Sequence, residues 1–409
     1  MVPARWLSPY LELPRTVRVL SVGMFVNRAG SFVVPFLALY LSEARGHSPS
    51  LATTALGVFG VGAIVAAWLG GRLADAVGRR VVMIAALVGG AAGAFVLPLL
   101  THPVAVLAAV LGMALASESY RPAAQAMITD LTPPEQRPRA FALLYVAVNL
   151  GFAFGAAVGG WLAARSFTLM FWGDAATSLA FALVILSFVR EGARPRPRTS
   201  PDPGGPPEAG GASAPAFGVF LFACFLAAFV FTQAMSTFPL VLERLAIGPE
   251  LYGRIMAVNG ILIAVGQLPL AHLVSGWDRA RVLSAGSLLM ALGFGLHGLA
   301  ERPLAFAGAV AVWTVGEMLN AALAAPVVGE LAPPSRRGRF FGAHGMTFGA
   351  AMVVGPPVGG LVLERWGSGG LWAMCAVAGF ASALLLWGLG PTLRAAARAS
   401  RWSTEGAPP

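Results

Sequence analysis

The sequence carries little charge. Only 11% of its 409 residues are charged, against about 25% in an ordinary soluble domain. So few charges would leave most of a soluble surface apolar, which excludes a soluble enzyme. Lysine is absent, and all 28 cations are Arg. Without Lys there is no Walker loop, G-x-x-x-x-G-K, so ATP-driven pumping by this chain alone is excluded. Cysteine occurs twice, as Cys224 and Cys375, each inside an apolar run, so no disulfide or metal framework follows. His272, His297 and His344 fall on separate apolar stretches and offer no metal site. With no H-E-x-x-H and no hydrolase elbow, the expectation is a chain that is not an enzyme and carries no cofactor. What abounds instead is apolar sequence. Hydrophobic residues make up 57% of the chain and mean hydropathy is +0.74. The 50 Gly and 30 Pro lie among apolar runs without a triplet period, unlike collagen or a disordered chain. This composition belongs in a lipid bilayer.

A membrane-spanning helix needs about 20 apolar residues. The runs predict an all-α membrane protein of twelve spans, near 17–42, 51–71, 81–100, 104–131, 140–164, 168–189, 216–243, 251–274, 281–299, 304–331, 339–364 and 370–390. The first run follows Arg5, Arg15 and Arg18. It is too long for a signal-peptide core and reads as a retained span. The formal charge of +10 does not point to nucleic acid, because the cations cluster in short breaks between spans. One set of loops holds Arg72, Arg79, Arg80, Arg137, Arg139, the 190–198 cluster, Arg279, Arg281, Arg336, Arg337, Arg339 and Arg394. The opposite set holds Arg45, Arg165, Arg244, Arg254, Arg302 and Arg365. The positive-inside rule then predicts both termini in the cytoplasm.

Residues 190–215, REGARPRPRTSPDPGGPPEAGGASAP, are rich in Pro, Gly and Arg and read as a flexible cytoplasmic linker. It separates two six-helix bundles, 1–189 and 216–390, with a cytoplasmic tail at 391–409. The halves repeat at a shift of 200. Leu131, Pro133, Pro134, Arg137, Arg139 and Phe141 meet Leu331, Pro333, Pro334, Arg337, Arg339 and Phe341, and Gly155, Val158, Gly159 and Gly160 meet Gly355, Val358, Gly359 and Gly360. Parallel repeats of six helices imply two pseudo-symmetric bundles related by an axis along the membrane normal.

The second span closes on Gly71-Arg-Leu-Ala-Asp75-Ala-Val-Gly78-Arg79-Arg80. Two glycines permit a tight turn, and a carboxylate there can face the positive end of a neighbouring helix. This segment resembles the cytoplasmic-loop signature of the major facilitator superfamily, G-x-x-x-D-x-x-G-R-R/K, departing from it at Ala76. With the twelve spans, the linker and the repeat, the resemblance covers essentially the whole chain. It implies a latch between the halves, in which Asp75 and Arg79 act with Asp130 at the end of the fourth span and favour the outward-open state. The corresponding stretch of the second half, Trp277-Asp278-Arg279-Ala-Arg281, is degenerate.

Spans 5 and 11 carry glycines four apart: Gly151, Gly155, Gly159 and Gly160, then Gly355, Pro356, Gly359 and Gly360. Such a stripe makes a flat face for close helix packing. The family's antiporter signature, G-x-x-x-G-P-x-x-G-G, is matched in span 5 except that Ala156 replaces its Pro.

A charge at mid-span costs about 2.5–3.5 kcal/mol on insertion scales, so it faces protein or a wet cavity. Arg28, Glu118, Arg121 and Glu317 stand near span midpoints. Glu118 and Arg121 share a helix face, with Arg28 at similar depth. In the family spans 1, 4, 7 and 10 line the central cavity. Glu317, one residue off the repeat mate of Glu118, is expected to face it there. Static ion pairing of Arg28 or Arg121 with Glu118 is the competing reading. The span 1 stretch Asn27-Arg28-Ala-Gly30-Ser, with Pro35-Phe36 beyond it, and the span 4 stretch Tyr120-Arg121-Pro122-Ala-Ala-Gln125 look like those of bacterial drug-efflux members. Asn27, Gln125, Asn149, Gln233, Asn259, Gln267 and Asn320 add amides. The resemblance implies a monomeric secondary transporter that exports amphipathic or drug-like small molecules in exchange for protons. Uptake of a small metabolite is the alternative, and a non-transporting membrane sensor a minor one.

Overall fold

The structure is a computed structural model, and it describes residues 12–133, 136–189, 214–274, 276–332 and 337–395. The expected linker lies outside the described residues up to 213, and Ala214 and Pro215 already begin a helix. Pro134, Pro333, Pro334, Arg5, the 190–198 cluster, Arg336 and the tail beyond 395 also lie outside them. All regular structure among the described residues is helical.

Among the described residues, eleven helical segments are long and apolar enough to cross a membrane. In lipid every backbone group must be paired within the chain, and helices achieve that within each segment. The first span is α1 (Arg15–Ala29) and α2 (Val33–Leu39), followed by a π turn at Tyr40–Ala44. Next come α3 (Pro49–Val77) and α4 (Arg79–Val96). The fourth span is α5 (Pro103–Ser117) with α6 (Tyr120–Leu131), followed by α7 (Arg137–Ala163) and α8 (Phe167–Phe188). The second half runs α9 (Ala214–Ser236), α10 (Phe238–Arg244), α11 (Pro249–Val274), α12 (Arg279–Leu296), α13 (Pro303–Leu331) and α14 (Arg337–Gly388). α14 has 52 residues and is broken at Gly367, where φ is 67° and ψ −170°. Its two limbs are the last two of the twelve expected spans.

Helix starts follow local chemistry. Pro49, Pro103 and Pro303 occupy the first helical turn, where a missing N–H costs nothing. Ser48, Ser166 and Asp278 accept from the backbone N–H groups of Leu51, Leu169 and Arg281. Three spans read as continuous in the sequence are interrupted, at 30–32, at 118–119 and at Thr237. Pro239 suits the last, standing in the first turn of the helix that restarts there, where its missing N–H costs no bond.

The described residues divide into two compact units, drawn from Met1–Arg196 with Met235–Ala264 and from Pro197–Ala234 with Val265–Pro409. In the first, α7 crosses α1 on its glycine stripe. A Cβ at Gly151 would stand 2.7 Å from Arg28 Cβ, at Gly155 2.8 Å from Arg28 O, and at Gly159 2.8 Å from Phe32 Cδ1. In the same unit α11 packs on α7, with Gly253 against Ala156 O and Gly160, and a Cβ at Gly260 would stand 2.6 Å from Ala153 Cβ. Tyr252 Oη donates to Pro35 O at 3.1 Å, and its ring meets Phe36 edge-on. In the second unit Gly355 and Gly359 of α14 receive Thr232 and Gln233 of α9. Gln233 Nε2 donates to Gly355 O at 2.9 Å. Pro356 and Gly360 are buried in that helix.

Candidate functional site

The break in the first span builds the site. α1 ends at Gly30, which approaches Thr177 of α8 so closely that a Cβ would collide with the hydroxyl. Gly30 N donates to Val26 O and Asn27 O, at 3.1 and 3.2 Å. The chain then has to restart as α2, leaving N–H groups without helical partners. Asp174 of α8 supplies the acceptor. Its Oδ2 accepts from Phe32 N at 3.0 Å and from Val33 N at 3.1 Å. Asn27 is buried and donates to Ser178 Oγ at 3.1 Å, one turn along α8.

Arg28 is thereby held at the last turn of α1. Its charge acts on Glu118, Tyr120 and Asp174. Glu118 sits at the second break, between α5 and α6, and pairs with Arg121 at 3.0 Å. The Glu118 side chain is 17% exposed and that of Arg121 43%. Asn27, Arg28, Glu118, Tyr120, Asp174 and Ser178 line a cavity of about 60 Å³, room for about two waters. Three of the four mid-span charges read from the sequence, Arg28, Glu118 and Arg121, thus meet in one unit. Asp174 joins them and was not anticipated. Its signal was present: a lone carboxylate in the apolar run 168–189. Gln125 is exposed on α6.

Glu317 lies elsewhere, on α13 in the second unit. There α13 crosses α12 at Gly316 and Gly286, each close to the other's carbonyl, which leaves no room for a side chain at either position. The next residue, Glu317, lines a pocket of about 270 Å³ with Cys224, Phe231, Asn320, His344 and Phe348. Asn320 Nδ2 donates to Ser287 Oγ at 3.3 Å. Gln267 Nε2 donates to Met318 O at 3.1 Å, and Asn149 donates back to Tyr145 O of its own helix at 2.9 Å.

At the loop signature, Gly78 separates α3 from α4 with φ 107° and ψ 145°, a conformation essentially reserved for glycine. Gly71 has open space beside it. Arg80 Nη2 donates to Leu186 O at 2.5 Å, at the end of α8. Arg79 is half-buried. The side chains of Asp75 and Asp130 lie outside the described residues. The second half carries a charge network at the related place. Arg279 pairs with Glu330, and Asp278 pairs with Arg394 at 3.1 Å while accepting from Arg281 N at 3.0 Å. Arg279 and Glu330 are the mates of Arg79 and Asp130 at the shift of 200, so the degenerate stretch still forms an ion pair between the start of α12 and the end of α13.

The profile of the Major Facilitator Superfamily matches residues 20–245 and 220–406. The chain belongs to that superfamily. Among curated members, the MFS-type transporter YqjV of Bacillus subtilis (strain 168) is 27% identical over 366 residues, 85% of each chain. A Na(+), Li(+), K(+)/H(+) antiporter of Planococcus maritimus is 25% identical, over 84% of this chain and 88% of its own. The multidrug resistance protein MdtH of Photorhabdus laumondii subsp. laumondii is 24% identical over 85% of each. Among solved structures, a POT family transporter in complex with a thioalcohol-conjugated peptide superposes with a TM-score of 0.79 at 15% identity, covering 93% of this chain and 97% of that one. That likeness is one of fold. Family and helices together make this superfamily member a multi-pass membrane transporter.

Proposed function

We propose that the chain exports amphipathic small molecules by alternating access, as a proton-coupled antiporter. The observation that carries the reading is the Glu317 pocket: a carboxylate and the amide of Asn320 set among Phe231, Phe348, Cys224 and alanines, in about 270 Å³. Apolar walls with few polar groups suit a ligand that is mostly hydrophobic with one polar or cationic end. The multidrug and cation/proton antiporter relatives support the same direction. Two six-helix bundles, 1–189 and 216–390, would rock around a midplane site, with the chain acting as a monomer. The Arg distribution supports both termini in the cytoplasm of a bacterial cell.

Coupling needs a group whose interactions differ between the two states. Glu317 and the Arg28, Glu118 and Asp174 cluster supply such carboxylates, each group in a pocket of its own unit. The Asp75, Arg79 and Asp130 latch would bias the cytoplasmic face. In vesicles, Glu317→Gln and Glu118→Gln are expected to lose the dependence of efflux on a pH gradient, and Asp75→Asn to slow transport with substrate binding kept. Wild-type proton coupling in both Gln variants would refute the carboxylate role. Ala156, in place of the signature Pro, keeps uptake of a small metabolite open as the second reading. Flux in right-side-out against inverted vesicles separates the two.

A further inference from the structure

An open groove of about 490 Å³ runs between α1 and α8, wholly within the first unit. Its walls are apolar. Val22 is 64% exposed and Phe188 56%, and Val26, Phe181 and Val184 complete the trough. Its mouth is cationic, formed by Arg15 and Arg18. These residues stand three apart and so share a helix face. Neither has an ion pair or side-chain hydrogen bond among the described residues. Arg18 Nε is buried and unpartnered, although a guanidinium has five donors to satisfy. α1 also begins here. Its cap residue is Pro14, with no capping side chain, and its first turn holds no acidic residue. The positive end of the helix dipole thus adds to the two guanidinium groups.

We propose that this groove binds one anionic phospholipid. The headgroup phosphate is held by Arg15 and Arg18, and an acyl chain lies along Val22, Val26, Val184 and Phe188. Length decides for a lipid over a free anion. From Arg15 to Val26 the helix rises about 16 Å, against about 15 Å for half of the bilayer's hydrocarbon core. A free phosphate would use the cationic mouth and leave the trough unexplained. A zwitterionic lipid would fill the trough and give the two cations little net charge to meet. Basic pockets between spans on the Arg-rich side are suited to anionic headgroups.

The test uses the purified full chain in detergent, with thermal unfolding and native mass spectrometry as readouts. Palmitoyl-oleoyl-phosphatidylglycerol is added, with palmitoyl-oleoyl-phosphatidylcholine and inorganic phosphate as comparisons. The phosphatidylglycerol is expected to raise the unfolding midpoint by several degrees and to appear as one retained adduct. The double variant Arg15→Gln/Arg18→Gln is expected to lose most of that gain. Val22→Trp fills the exposed trough while keeping both arginines, and is expected to lose it as well. An equal gain from phosphatidylcholine would overturn the headgroup contact. An equal gain from phosphate alone would reduce the site to an anion site and overturn the lipid. A full gain in either variant would overturn the location. Should the double Arg variant fail to fold, Val22→Trp and the headgroup comparison still decide.

Discussion

Asp174 is predicted to hold the first span together at its break, and two substitutions separate its hydrogen bonds from its charge. Both N–H groups of the break, Phe32 and Val33, donate to the same oxygen, Oδ2. Asp174→Asn keeps one carbonyl oxygen and can retain both bonds. Its main loss is the attraction to Arg28, since an amide can still meet the Ser178 hydroxyl. Asp174→Ala removes the acceptor altogether. Phe32 N retains Gly30 O at 2.9 Å, so the clear orphan is Val33 N. One buried unsatisfied donor costs about 1–3 kcal/mol, and the weakened compensation of Arg28 adds to it, softened by Glu118. The expected losses are about 1 kcal/mol for Asn and about 2–4 kcal/mol for Ala. Thermal unfolding of the purified variants in one detergent gives the ratio, with Ala shifting the midpoint at least twice as far as Asn. Equal shifts would mean that charge, not hydrogen bonding, fixes the break. Two unshifted variants would refute the break as a structural element.

Gly78→Ala should cost about 1–3 kcal/mol, because φ 107° and ψ 145° strain any side chain. Proteolysis between α3 and α4 should increase in that variant. Arg279→Met and Glu330→Met should each destabilise by about 3 kcal/mol through an uncompensated partly buried charge, while Arg279→Met/Glu330→Met recovers most of the loss; a denaturation cycle of these variants measures the coupling. Asp278 is outside the spans. Its modest burial would raise its pKa, but the Arg281 N–H and the Arg394 guanidinium hold it below the ordinary carboxylate value of 3.8. Its folded pKa is depressed, so its stabilisation is present above the unfolded pKa and is lost as pH falls through the folded one. Asn can still cap the helix, so the gap between wild type and Asp278→Asn is that of a solvent-screened ion pair, about 0.5 kcal/mol at pH 7, and it should close below about pH 4.

How much was legible differs by residue. Arg28, Glu118 and Arg121 were marked in the sequence by their cost in an apolar run; Arg28 and Glu118 share one cavity, and Arg121 pairs with Glu118. Asp174 obeys the same rule, yet stands off the midpoint of its run, where depth alone did not flag it. Its role depends on where α1 stops, and that is set by Gly30 against Thr177, a contact between residues far apart in the chain. Arg279 and Glu330 pair despite a degenerate motif, because the contact needs only opposite charge at two helix ends.

Composition, run length and the spacing of arginines by themselves determined a multi-pass helical membrane protein with an internal repeat. Those properties follow from the cost of exposing polar groups to lipid, which acts on each segment separately. The tertiary structure alone decided which charges meet, where spans break, and that Glu317 and the Arg28 cluster line different pockets. Those depend on how closely helices approach, and close approach is set at single glycines by contacts no local pattern records.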